Sequence, residues 1–278
     1  MNILVPTDFS QCADYALDAA CKIAEKAGGK IHLYNAAELP DDWEDLGLVD
    51  QLKDDVNLGI SRITMDRLKE KSQIVKDYGL DYQLHYTGGK FLENIQEILD
   101  KVDISLIVMG SKGISGKSEW FIGSNAQKVI RHIHCNILVI KDKVETVDFS
   151  NVLFASSLTL KDKISFEHFL NFIKPFNVKK IHLLAVDTFG FFSQPTPIIL
   201  EALKDFKNLV KDVECFTHFI SDYSVDSGIR NFSNSHEIEL IGISNNTRNP
   251  LKRIFQGSNV EMLVNHADVP VLGLDHNK

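Results

Sequence analysis

The sequence predicts an α/β protein made of two tandem copies of one unit, each a mostly parallel sheet covered by helices on both faces. Three observations predict it. The opening run Asn2-Ile3-Leu4-Val5-Pro6-Thr7-Asp8-Phe9-Ser10 has an echo at Asn151-Val152-Leu153-Phe154-Ala155-Ser156-Ser157-Leu158-Thr159. Gly123-Ser124-Asn125 leads through His132 to Asn136-Ile137-Leu138-Val139-Ile140, and Gly257-Ser258-Asn259 leads through His266 to Pro270-Val271-Leu272-Gly273-Leu274, with no gap between the two tails. Short apolar strands alternate with segments of helical periodicity, the pattern of a parallel sheet buried on both sides. The joint falls near residues 142–150, dividing the chain into units 1–143 and 149–278. A chain of 278 residues is long enough for each unit to bury its own core.

The elements of the first unit follow in order. Ile3 to Pro6 reads as a short strand. Ser10 is placed to cap a helix whose small apolar positions Ala13, Ala16, Leu17, Ala20 and Ala24 recur at helical spacing, ending at Gly28-Gly29. Ile31 to Ala36 is the second strand, and a long helix from about Leu52 to Tyr78 offers Ile60, Ile63, Met65, Leu68 and Val75 as its core face. Tyr82 to Tyr86 is a strand, Phe91 to Leu99 a helix, and Ile104 to Met109 a nearly continuous apolar strand. Gly123 opens the last helix and Asn136 to Lys141 forms the last strand. That strand and Val269 to Leu274 hold the same place in their units, and each would be an exposed apolar edge unless the two pair about a pseudo-two-fold axis.

Composition narrows the function classes. Hydrophobic residues make up 44% and charged residues 24%, the balance of a globular protein in water. The net charge of −8 and the lack of a basic run argue against nucleic acid as a partner. No apolar run reaches membrane-spanning length and the N-terminus reads as a strand rather than a signal peptide, so the expected location is the cytoplasm, away from membranes. Cys12, Cys21, Cys135 and Cys215 show no CxxC spacing and read as buried reduced thiols.

In an open parallel sheet, ligands bind beyond the carboxyl ends of the strands where the winding direction switches. That directs attention to Thr7 and Asp8, to Ala36 and Ala37, and to the segment from Gly110 onward. After the apolar strand comes Val108-Met109-Gly110-Ser111-Lys112-Gly113, closing at Gly123-Ser124, the pattern G-x2-G-x9-G-S. Glycines here allow positive φ and close backbone approach, and successive N–H groups with a helix N-terminus suit a phosphate. Ser124 adds a hydroxyl donor and Lys112 a positive charge. Glycine spacing alone also fits an ordinary strand-to-helix loop, and the pattern is neither a Walker loop nor a Rossmann GxGxxG.

With Pro6-Thr7-Asp8-Phe9-Ser10 ahead of it, this loop resembles the ATP-binding branch of the universal stress protein family. The resemblance runs over nearly all of the first unit and, more faintly, the second. It implies an open five-stranded parallel sheet of the Rossmann-like, adenine nucleotide α-hydrolase type in each unit, with the two units packed as an intramolecular pseudo-dimer. It further implies that ATP, with Mg²⁺ helping to neutralise its phosphates, is held by Pro6, Thr7, Asp8, Ala36, Met109, Gly110, Lys112, Gly113, Gly123, Ser124 and Asn125. Two departures stand out. Glu38 to Leu52 is acidic (Asp41, Asp42, Glu44, Asp45, Asp50) and could cover or repel a nucleotide, and the extra Gly116 loosens the loop.

The second unit is degenerate. Ser157 stands for Asp8, Gly242 reads as the surviving first glycine, and Asn245 or, counting back from Gly257, Thr247 replaces the second. On the first count the loop is two residues longer than its partner, with Pro250 stiffening it, and this unit is expected to hold no nucleotide. Arg248, Lys252 and Arg253 read as a solvated basic face, with an anion site as the alternative. Phe189-Gly190-Phe191-Phe192 reads as core or contact surface, with a small-ligand pocket as the alternative.

Other constellations fail. His132 and His134 face different sides of a helix and, with Cys135, do not make a metal site. The acidic residues around Asp41 to Asp55 lack EF-hand spacing. No GxSxG, HExxH or kinase signature appears. The functional expectation is a stress-response regulator that binds ATP, hydrolyses it slowly at most, and acts on protein partners the sequence does not name, with a homo-oligomer of the whole chain also open. The rival readings are a nucleotide-free scaffold and an ATP-cleaving enzyme of the α-hydrolase class. The latter carries an SGGxDS loop after its first strand, where this chain has Pro6-Thr7-Asp8-Phe9-Ser10.

Overall fold

The computed structural model describes residues 1–40, 42–43, 45–111, 123–188, 195–245 and 259–276. The first half runs β1 (Asn2–Pro6), α1 (Gln11–Ala27), β2 (Lys30–Ala37), α2 (Leu48–Gln51), α3 (Asp55–Asp77), β3 (Tyr82–Gly88), α4 (Phe91–Lys101), β4 (Leu106–Gly110), α5 (Ser124–His132) and β5 (Ile137–Ile140). The second runs β6 (Asn151–Ala155), α6 (Leu160–Ile173), β7 (Lys180–Asp187), α7 (Thr196–Lys207), β8 (Glu214–Ser221), α8 (Val225–Ser235), β9 (Leu240–Ser244), α9 (Asn259–His266) and β10 (Val271–Leu274).

All ten strands join one sheet in the order β3-β2-β1-β4-β5-β10-β9-β6-β7-β8. Neighbours are parallel within each half, and among the described residues the single antiparallel pair is β5 with β10, where Leu138 lies opposite Leu272. The two last strands therefore cover each other, as their apolar sequences require, and β3 and β8 become the outer edges. In the first half the chain winds outward through β2 and β3, then returns to β4 on the other side of β1. The winding switch lies between β1 and β4.

Strand alternation sends side chains to two layers. Ile3, Val5, Leu106 and Val108 join the layer under α1, while Leu4, Ile107 and Met109 join the layer with Ala126, Val129 and Ile130 of α5. Both layers continue across the seam into the second half. The start of α1 is set by Ser10, whose side chain accepts the Ala13 N–H, and its end by Gly28, whose φ of 68° ends the helix in the left-handed region. The expected Leu52–Tyr78 helix is α3, which begins three residues later at Asp55 behind the separate turn of α2, and its buried stripe is Thr64, Leu68, Ser72 and Val75, each about one turn from the next. Ile63 is 62% exposed, and Ile60 packs instead on a small separate cluster of Ala37, Leu39 and Trp43.

The joint packs against the fold. Lys22 Nζ donates to the Val144 and Glu145 carbonyls at 2.7 and 3.1 Å, and Val147 and Phe149 are buried. Across the seam Arg131 of α5 donates from Nε and Nη2 to both oxygens of Glu261 on α9, at 2.9 and 2.7 Å, and Gln127 Nε2 adds a third bond at 3.1 Å. Gln127 and Glu261 hold the same place in their repeats, so the pseudo-two-fold axis relates unlike side chains.

Candidate functional site

The chain leaves β1 through a tightly held turn. Thr7 N–H donates to the Tyr34 carbonyl at 2.8 Å, and Asn35 Nδ2 donates to the Thr7 carbonyl at 2.7 Å. Thr7 Oγ1 accepts the Phe9 N–H and Asp8 Oδ1 accepts the Ser10 N–H, both at 3.0 Å. These side-chain bonds fold the backbone back on itself and hold Phe9 at a φ of 63°, a region uncommon for a residue with a side chain. The Arg67 guanidinium lies 4.3 Å from the centre of the Phe9 ring. Asp8 stays half-buried at the mouth of the crevice, with half-buried Ala36 at the end of β2.

From the other side of the switch, β4 delivers Met109, Gly110 and Ser111. Gly110 does not have positive φ, contrary to the expectation for this loop. A Cβ there would lie 2.9 Å from the carbonyl carbon, carbonyl oxygen and Sγ of Cys12, so glycine is required by the close passage of α1. Gly123 likewise takes an ordinary φ of −58°. Its N–H donates to the Ser111 carbonyl at 2.6 Å, which joins the two ends of the intervening loop. Lys112, Gly113 and Gly116 lie outside the described residues.

α5 begins at this junction, with the Gln127 N–H making the bond to the Gly123 carbonyl and no side chain capping the helix start. The N–H groups of Ser124, Asn125 and Ala126 thus have no carbonyl within the helix. The buried Ser111 Oγ has no hydrogen-bond partner among the described residues. An uncapped helix N-terminus beside an unpartnered buried hydroxyl suits an anion. Pro6, Thr7, Asp8, Ala36, Met109, Gly110, Gly123, Ser124 and Asn125 all lie along the same carboxyl edge of the sheet, at the ends of β1, β2 and β4 and the start of α5.

Residues 1–141 match the sequence profile of the universal stress protein family. The chain belongs to that family. Over half its length it is similar to universal stress proteins of Synechocystis sp. (25% identical over 151 residues, 50% of this chain and 97% of that protein) and Methanocaldococcus jannaschii (26% over 148 residues, 50% of this chain and 81% of that protein). The whole fold is similar to a solved universal stress protein of Archaeoglobus fulgidus, which covers 99% of this chain and 98% of its own at 16% identity, with a TM-score of 0.75.

The second half of this universal stress protein repeats the turn and alters its surroundings. Leu158 takes a φ of 61°, its N–H donates to Ser156 Oγ at 2.8 Å, and Ser156 N–H donates to the Leu184 carbonyl at 2.9 Å. Here the Asp162 carboxylate, 3% exposed, reaches back to the turn. Its Oδ2 accepts the Ser157 N–H at 2.9 Å, the Thr159 N–H at 3.3 Å and the Ser156 hydroxyl at 3.3 Å. The equivalent residue in the first half is Ala13.

Strand register corrects the reading of the second loop. Ser244 pairs with Leu274 as Gly110 pairs with Ile140, so Ser244 and not Gly242 stands for the first glycine. Asn245 N–H bonds the Leu274 carbonyl as Ser111 N–H bonds that of Ile140, both at 2.8 Å, so Asn245 replaces Ser111. Thr247 then stands for Gly113, and Ser244 precedes Gly257 by the same number of residues as Gly110 precedes Gly123, so the loop is not longer. Gly242 is a glycine for another reason, since a Cβ there would lie 2.5 Å from the Phe169 ring. Thr247, Arg248, Pro250, Lys252, Arg253, Gly257, Ser258 and the Phe189–Phe192 run lie outside the described residues.

Three features escaped the sequence. Asn35 ties β2 to Thr7. Trp43 and Leu39 bury themselves against the ends of β2 and β3, with Gln51 Nε2 donating to the Trp43 carbonyl at 2.7 Å, so the acidic stretch beside Ala36 has an apolar anchor. The alternation of Leu39 and Trp43 with acidic residues was its signal. The third is the repeat Lys30-Ile31-His32-Leu33 and Lys180-Ile181-His182-Leu183.

Burial pushes the Cys21 thiol up to about 12, aided by Asp18, and raises that of Cys215. All four cysteines are free and buried. Among the described residues, no cluster of three or more His, Cys, Asp or Glu side chains could hold a metal ion, and no helix is long and apolar enough to cross a membrane.

Proposed function

We propose that this chain is a cytoplasmic regulatory protein that holds one adenine nucleotide, ATP with Mg²⁺, in its first half and none in its second. The observation that carries the reading is the contrast at one corner. After β1 the turn faces Ala13, which has no polar group, whereas after β6 the same turn is occupied by the Asp162 carboxylate. Both turns carry a carboxylate, but Asp8 is half-buried at the mouth of the crevice, whereas Asp162 is 3% exposed and accepts the N–H groups of both Ser157 and Thr159, so the donors of the second turn are already engaged. Gly110, which admits α1 closely, is replaced by Ser244, whose hydroxyl lies 2.9 Å from that of Ser165.

In the first half the uncapped start of α5 and the Ser111 hydroxyl supply donors for phosphate oxygens, with Lys112 and Gly113 completing the motif. By the family resemblance Asp8 meets the nucleoside and backbone at Ala36 meets the base. No general base besides Asp8 stands at the described part of the crevice, which favours holding the nucleotide over cleaving it. Four buried free thiols fit a reducing compartment.

Calorimetric titration of the intact chain with MgATP is expected to give one site. Two equal sites, or none, would overturn the proposal. Gly113→Val should abolish binding and its true counterpart Thr247→Val should leave affinity unchanged; the reverse result would put the nucleotide in the wrong half.

A further inference from the structure

Each half contains a pair of histidines that the nucleotide site does not use. His32 Nδ1 lies 2.9 Å from His85 Nε2, joining β2 to β3, and His182 Nδ1 lies 3.0 Å from His218 Nε2, joining β7 to β8. The rings stack with centroids 5.2 and 5.1 Å apart. Register makes the pairs equivalent, since His85 lies opposite Tyr34 as His218 lies opposite Leu184, two residues beyond each inner histidine. His32 Nε2 lies 3.4 Å from Asn2 Oδ1, at the end of the strands away from the crevice. β3 and β8 are the outermost strands of the ten-stranded sheet.

We propose that the two histidine pairs are acid-sensitive latches that hold the edge strands β3 and β8 onto the sheet at neutral pH and release them on acidification. The bond between neutral imidazoles uses one N–H and one lone pair. When both rings are protonated, both facing nitrogens carry hydrogens and the contact becomes two like-charged donors opposed at hydrogen-bond distance.

The surroundings offer no relief. The first pair is faced by Asn2 from β1 and Lys30 from its own strand. The second is faced by Lys180 from its own strand, Phe216 from β8, Phe232 from α8, and His236, whose ring lies 5.5 and 5.7 Å from the two. Among the described residues, the hydrogen bonds and ion pairs of these rings include no carboxylate. Burial, with His85 and Lys30, pushes His32 down to about 4, and burial with His218, His236 and Lys180 does the same to His182. His85 and His218 are held below the ordinary value chiefly by burial. A folded-state value below the unfolded one means that the latch's contribution is fully present above about pH 6.5 and is lost as pH falls toward 4.

Hydrogen–deuterium exchange on the intact chain, corrected for intrinsic rates, tests this at about pH 7.5 and about pH 5. Protection of β3 and β8 is expected to fall by about tenfold relative to β1, β4 and β9. His85→Gln, which keeps an amide in place of a ring that takes up a proton, should weaken the response of β3, leaving the part due to His32, and leave that of β8 unchanged, and His218→Gln should do the converse. Each half is thereby the control for the other. An equal loss in every strand, or an unchanged response of β3 in His85→Gln, would overturn the proposal. Should a variant fail to fold, the imidazole resonances of the native chain decide. Midpoints of His85 and His218 below about 6.5 support the latch, and ordinary midpoints overturn it.

Discussion

The turns after β1 and β6 have the same shape and different occupants. Both put a residue with a side chain at positive φ, Phe9 or Leu158, and both hold it by a hydroxyl two residues earlier. Both start a helix with a hydroxyl cap, Ser10 or Thr159. They part three residues into that helix boundary, where the first half has Ala13 and the second the buried Asp162 carboxylate. The difference teaches that one side chain can change the polar surroundings of a turn while its backbone is kept.

The strongest way to break this comparison is at Gly110. Gly110→Val places its Cβ within 2.9 Å of Cys12 backbone atoms, so a loss of about 3 kcal/mol is expected in urea unfolding. Ser244→Val, at a position already built around a side chain, should cost only about 1 kcal/mol through the lost Ser165 bond. Equal effects would mean that the two loops are framed alike. Next comes Arg131→Ala, which removes both Arg131 bonds to the buried Glu261 and should cost about 2 kcal/mol in the same measurement.

Asp162→Ala should cost about 1.5 kcal/mol, since it removes the capping box of α6 together with the bond to Ser157. Titration of that variant with MgATP is expected still to give one site, because Ser244 and Thr247 remain. A second site would sharpen the comparison to Asp162 alone. The smallest effect is expected from Ser10→Ala and Thr159→Ala, about 1 kcal/mol each in thermal unfolding, and similar in the two halves because the turns are alike.

What the sequence made legible was local or repeated. Ser10 and Gly28 bound α1 as read, because capping depends on chemistry within one turn. The pairing of β5 with β10 followed from two apolar strands that had to be covered. The candidate crevice was legible because Thr7, Asp8 and Gly110 sit at strand ends beside a winding switch. What stayed hidden depends on register or on distant partners. Gly242 imitates a surviving loop glycine two residues too early, and only its pairing with Leu272 shows that it makes room for Phe169. Ile63 has the apolarity of a core residue, yet the buried face of α3 runs through the polar Thr64 and Ser72. His32 and His85 meet across strands far apart in sequence, where no spacing rule links them.

The clamp of Lys22 on the joint has a consequence for how such a molecule can change over generations. In a dimer of identical chains, any substitution on the symmetry axis arrives twice and must tolerate its own image; a glutamate at the position of Gln127 would face a glutamate. Two units joined end to end and held at fixed stoichiometry escape that constraint. One copy can take Glu261 while the other keeps Gln127 and supplies Arg131, so each mutation is tried against an unlike neighbour. The same freedom lets one copy carry Asp162 where the other carries Ala13.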